Sequence, residues 1–144
     1  MIMRSMLLTA LIAILGCSDP AGPVELEPIY TLVSADGNAL PWREYHTYED
    51  SGCTADLRGS VITFSKFGQY EASLDTQLTC GDGQHPPSHT LSRGSYSREG
   101  DTVVLDPAVA TTFTLDNVTV REAGLTAVLS TSGEQYTLVF REGF

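Results

Sequence analysis

Between Tyr70 and Cys80 the sequence YEASLDTQLTC alternates with a period of two. Tyr70, Ala72, Leu74, Thr76, Leu78 and Cys80 take one side, and Glu71, Ser73, Asp75, Gln77 and Thr79, all polar, take the other. Successive side chains leave opposite faces of a strand, so this stretch reads as a half-buried antiparallel strand with one wet face. Cys80 falls on the inward side. No ten-residue stripe at helical spacing competes with this pattern beyond the first sixteen residues.

The same alternation recurs between turn signals. Tyr30 to Ser34 runs into Asp36-Gly37, a hairpin signal because glycine accepts positive φ. The return segment, Ala39 to Thr47, contains Pro41, which cannot donate to a ladder and so marks a bulge or an edge. Leu57 to Lys66 turns at Phe67-Gly68, and a polar loop over 81–88 leads to Thr90 to Arg98, with Gly94 and Tyr96 on one face. Thr102 to Asp106 follows Glu99-Gly100-Asp101. Thr111 to Arg121 changes phase at Asp116-Asn117, as a kinked strand would. Ala123-Gly124 leads to Leu125 to Thr131, and Ser132-Gly133-Glu134 to Gln135 to Glu142, where Tyr136, Leu138 and Phe140 share a face. These segments predict an all-β fold, an antiparallel meander of about eight strands closed into an up-and-down barrel. Closure removes the exposed edges, and about eight strands leave an interior for side chains or one small ligand. A Greek-key sandwich is the competing architecture. The two differ in whether the first and last strands pair.

The N-terminus has another character. Arg4 precedes the apolar run Met6 to Leu15, too short to span a bilayer but matched to the hydrophobic region of a secretory signal helix. Ile14-Leu15-Gly16-Cys17 then resembles a bacterial lipobox. That resemblance implies diacylglycerol on the Cys17 thiol, cleavage before Cys17 and further acylation, for which palmitate is the tracer. The competing reading is an ordinary signal with a chance cysteine. Ser18 after the cysteine, by resemblance to enterobacterial sorting, implies the outer membrane facing the periplasm. Ser18 to Pro28 carries three prolines and three acids with almost nothing to bury, so it reads as a tether. Its eleven residues reach at most ~40 Å. The chain therefore divides into a signal peptide (1–16), a lipidated tether (17–28) and a β-barrel domain (29–144).

Of three cysteines, a lipid on Cys17 leaves Cys53 and Cys80, which an oxidising compartment pairs as a disulfide. Removing Arg4 with the signal takes the net charge from −10 to −11, with 18 acidic residues against 7 basic. Phosphate neutralisation needs clustered Lys and Arg, so nucleic acid is excluded as a partner. Cys80, His85 and His89 offer a metal alternative, but their spacing matches no zinc pattern and no second cysteine pair completes four ligands. No G-x-S-x-G elbow, calcium loop or phosphate-binding glycine loop occurs, and adjacent acids such as Glu49-Asp50 belong to a solvated loop. No enzyme activity, cofactor or metal is expected.

Trp42, Tyr45, His46 and Tyr48 form the most unusual local composition. They read either as a binding lip at a barrel mouth or as a plug by Trp42, with the others alternating over the wall. The chain resembles small bacterial lipoproteins with lipocalin-like β-barrel domains. The likeness rests on Cys17, Tyr30-Thr31-Leu32-Val33 with Gly37 and Leu40-Pro41, Gly52-Cys53, Cys80, Gly94-x-Tyr96 and the closing Tyr136 to Arg141. It implies a lipid-anchored barrel holding a small apolar or amphipathic ligand, with Trp42, Tyr45, Leu74, Leu78 and Tyr96 as candidate contacts. The alternative is a protein-interaction module, a periplasmic inhibitor or envelope scaffold, with no ligand cavity.

Overall fold

The structure, a computed structural model, describes residues 25–108, 113–131 and 133–143. The expected signal helix and Cys17 lie outside the described residues. The described chain forms strands β1 (Ile29–Ala35), β2 (Asn38–Ala39), β3 (Trp42–Tyr48), β4 (Cys53–Phe64), β5 (Gln69–Cys80) and β6 (Gly83–Gln84). β7 (Ser88–Glu99), β8 (Thr102–Pro107), β9 (Thr114–Arg121), β10 (Gly124–Thr131) and β11 (Glu134–Glu142) follow. Around the sheet, β1, β11, β10, β9, β8, β7, β5 and β4 succeed one another, and β4 pairs again with β1. The result is a closed antiparallel barrel of eight strands in meander order. First and last strands do pair, Leu32 opposite Phe140 and Ala35 opposite Leu138, which removes the sandwich.

The chain enters at what we call the near end, with the turns at 65–68, 100–101 and 122–123. The longer connections 49–52 and 81–87 lie at the far end. Asp36 and Gly37 both take positive φ, as the hairpin signal requires, but the hairpin they make is only two residues deep. The expected return strand is thus corrected into two pieces. β2 turns back on β1, and after Leu40-Pro41 the chain leaves it. β3 then lies along β4, with Trp42 opposite Leu57 and Tyr48 opposite Cys53. β9 begins at Thr114 rather than Thr111, residues 109–112 being outside the described ones. The phase change at Asp116-Asn117 is present: Asn117 takes φ 50°, and the ladder to β10 shifts register there.

One continuous core fills the barrel. Tyr30, Ile62, Leu129 and Leu138 retain 0% of their accessible surface, and Phe113 and Phe140 are nearly as buried. In β4 the inward set is Cys53, Ala55 and Leu57, then Ser60, Ile62 and Phe64. The parity flips because Arg58 is an extra residue, with Leu57 opposite Thr76 and Gly59 opposite Asp75. Cys53 and Cys80 are disulfide-bonded, with Cα atoms 4.2 Å apart, where β4 begins and β5 ends. The bond staples the open end of the longest hairpin. Closing about 28 residues stabilises the fold by roughly 3.5 kcal/mol in the chain-entropy account.

Gly94 is required by close approach. A Cβ there would sit 1.9 Å from the Asp106 carbonyl oxygen and 2.8 Å from Pro107 Cα, so β7 and β8 would have to separate. Gly94→Ala is therefore expected to destabilise the protein by about 1–3 kcal/mol in urea unfolding. Gly81→Ala, where a Cβ meets nothing within 4 Å, should stay within about 0.5 kcal/mol of wild type.

Candidate functional site

The far end gathers the aromatic residues. Between Trp42 and His46 the ladder from β3 to β4 shifts register, and Glu44 adopts φ 52°. The Glu44 amide donates to Asp56 Oδ1 at 2.9 Å, which holds the bulge. A regular strand would send the neighbours Tyr45 and His46 to opposite faces. The bulge instead leaves Tyr45 buried and the His46 side chain 11% exposed, so the alternation expected over the wall fails here. Trp42 packs against Tyr45 at 6.0 Å between ring centroids and edge-on against Tyr136 at 5.6 Å. Tyr45 meets Tyr136 at 5.4 Å, and Tyr48 lies edge-on to His46 at the exposed margin.

A polar latch crosses this cluster. His46 Nδ1 stands 2.6 Å from Glu134 Oε2, and the Tyr136 hydroxyl donates to the same oxygen. An ionised carboxylate only accepts, so Nδ1 carries the imidazole proton in this arrangement. The Tyr136 hydroxyl also lies 3.2 Å from the Tyr45 carbonyl oxygen. The hydrogen bonds from Tyr136 and then His46 hold the Glu134 carboxyl below its ordinary value near 4.5. Burial, followed by the Tyr48 and Glu134 charges, pushes the Tyr45 phenol up to about 12. Burial first, and then the hydrogen bond to Glu134, raises the Tyr136 phenol as well. Among the described residues, β3 has ladder bonds to β4 alone, so the latch ties its other side to β11. Among the described residues, the polar partners of His46 are Glu134 and the Tyr136 hydroxyl. The chemistry of the cluster is that of a clasp.

The candidate contacts do not converge. Trp42 and Tyr45 are at the far end, and Leu78 lies opposite Ala55 on the same side of the barrel. Leu74 is buried in the wall between Ser60 and Thr90. Tyr96 closes the near end instead, 5.0 Å edge-on from Phe64, with its hydroxyl donating to the Ser65 carbonyl at 2.8 Å. Phe64 in turn meets Tyr30 at 6.1 Å. Each end is therefore stopped by its own three aromatic rings. Tyr136 was legible as an inward residue, but nothing in the sequence ties Glu134 to His46, 88 residues away.

The metal alternative loses its sulfur, because Cys80 is bonded to Cys53. Asp82 and His85 bond to each other at 3.1 Å on the surface, and His89 pairs with Asp75 instead. Two exposed side chains do not make a site for a resident ion. Among the described residues, an opening lies in the wall between β8 and β9. β8 and β9 pair only at Thr102–Thr119 and Val103–Val118, and beyond them a cavity of about 240 Å³ lies between Val104, Leu105, Leu115 and Asn117.

Glu134→Gln tests the latch through its pH dependence. A carboxyl held below its unfolded value contributes stability above that value and loses it as pH falls through the folded one. The stability gap between wild type and Glu134→Gln is expected to shrink as pH drops below 4.5. A gap that stays constant in acid would show that the latch does not hold the carboxylate. No family model, curated protein or solved structure matches the chain.

Proposed function

We propose that this chain is a lipid-anchored barrel of the bacterial cell envelope, held at the outer membrane through Cys17, that works through its outer surface as a protein-interaction module. The observation that carries this reading is the packing of the interior. A side chain lining a void large enough for water keeps accessible surface, and Tyr30, Ile62, Leu129 and Leu138 keep none. Aromatic rings stop both ends. Binding is then left to the exterior, and the far end offers Asp36, Glu44, Glu49, Asp50 and Glu134 to a cationic partner surface. The lipocalin-like character of the barrel belongs to the same proposal and is supported by its eight strands in meander order. No enzyme activity is proposed.

The second reading, a small apolar or amphipathic ligand held by the barrel, draws support from the opening between β8 and β9. Its 240 Å³ falls below the ~300–1,000 Å³ of ordinary small-molecule sites, so the surface reading is preferred.

Radioactive palmitate should label the protein in its host and fail to label Cys17→Ala. Native mass spectrometry of the purified protein should give the acylated chain alone. Label retained in Cys17→Ala would refute the anchor, and a stoichiometric small molecule in the native mass would refute the surface reading.

A further inference from the structure

Among the described residues, the near end holds a large apolar side chain that stays in water. Phe67 is 79% exposed at the tip of the turn between β4 and β5. Leaving a phenylalanine in water forgoes the favourable free energy of its burial, so a fixed one at a turn tip is open to a partner. This one is held in place. Ser65 Oγ accepts from the amides of Phe67 at 3.3 Å and Gln69 at 3.2 Å. The Gly68 amide donates to the Ser65 carbonyl, and the Tyr96 amide donates to the Gly68 carbonyl at 2.8 Å. Lys66 Nζ stands 5.2 Å from the Phe67 ring centroid, an ammonium on a flexible stem beside an apolar tip.

The chain also enters beside this turn. The Phe64 amide donates to the Pro28 carbonyl at 2.9 Å, three residues before Phe67. Ten residues, 18–27, separate Cys17 from Pro28, and they reach at most ~35 Å. A lipid on Cys17 would keep this end, rather than the other, close to the bilayer. Charge acts in the same sense. At the near end Lys66, Arg98, Arg121 and Arg141 offset Glu99, Asp101, Glu122 and Glu142, leaving Glu25 and Glu27 of the tether. The far end carries Asp36, Glu44, Glu49, Asp50, Asp82 and Glu134 with Arg43. Phospholipid surfaces of negative potential repel the far end more strongly and so favour the near end facing the lipid.

We propose that the near end is a membrane-contact surface, on which Phe67 enters the headgroup boundary of a phospholipid bilayer and Lys66 reaches the phosphates. The proposal rests on the lipid anchor at Cys17. It converts a loose tether into a seated domain, because a single apolar insertion beside an acyl anchor adds a second point of attachment. The acidic far end then points away from the membrane.

Trp42, the chain's only tryptophan, lies at the opposite end and serves as the internal control. The acylated protein is reconstituted into vesicles of brominated phosphatidylcholine, either as wild type or as Phe67→Trp in a Trp42→Phe background. Phe67→Trp with Trp42 retained covers the case in which Trp42→Phe does not fold. The tryptophan at position 67 is expected to be quenched about twofold and blue-shifted, with Trp42 unchanged. Equal, small quenching at both positions in a protein whose mass shows the lipid overturns the contact surface alone. A purified protein whose mass lacks diacylglycerol overturns the anchor and the seated pose together.

Discussion

The fold depends on one strand pairing on both of its edges. Tyr30 in β1 lies opposite Ile62 of β4 and opposite Glu142 of β11, so the same short strand closes the sheet on itself. Without that closure β4 and β11 would each present an unpaired edge, and their inward residues would face water. With it, a sheet of alternating residues acquires an inside. The disulfide reinforces the same wall from the far end, where β1 has already swung away from β4 toward β11 and β3 takes its place.

That hand-over explains the latch. β1 follows β11 upward while β4 continues beside β3, so a seam opens between β3 and β11 where no ladder bonds join them among the described residues. Side chains bridge what the backbone leaves open. The carboxylate of Glu134 gathers His46 and Tyr136, and the rings of Trp42, Tyr45 and Tyr136 fill the mouth beneath it. The near end needs no such device, because tight turns and the incoming chain close it over Tyr30, Phe64 and Tyr96. One end is thus shaped by packing, and the other, more acidic end by a hydrogen-bonded clasp.

Much of this was legible in the sequence, for a physical reason. Where a strand is regular and half-buried, as in β5 and β11, the period of two reports the inside directly, and Leu74, Leu138 and Phe140 are buried as read. Legibility failed where the backbone departs from that period. Arg58 shifts the parity of β4, and Glu44 turns a bulge in β3 at positive φ without the glycine that would have announced it. Gln77 sits on the outward face yet is buried, because Arg58 and the His85 carbonyl bond to its side chain. The pairing of His46 with Glu134 was hidden for a further reason: contacts between distant strands follow from register, which a single sequence does not encode locally. Register spreads Trp42, Tyr45, Leu74, Leu78 and Tyr96 along the whole length of the barrel.

The closure by β1 is what gives the chain a filled interior, two distinct ends and a surface left to do the binding. Nuclear Overhauser contacts of the Tyr30 Hα and amide protons test it most directly. The account predicts cross-strand contacts from β1 to both sides, to Ile62 and its neighbours in β4 and to Arg141 and Glu142 in β11. Contacts to β11 alone, with β1 amides exchanging as fast as those of an edge strand, would contradict it.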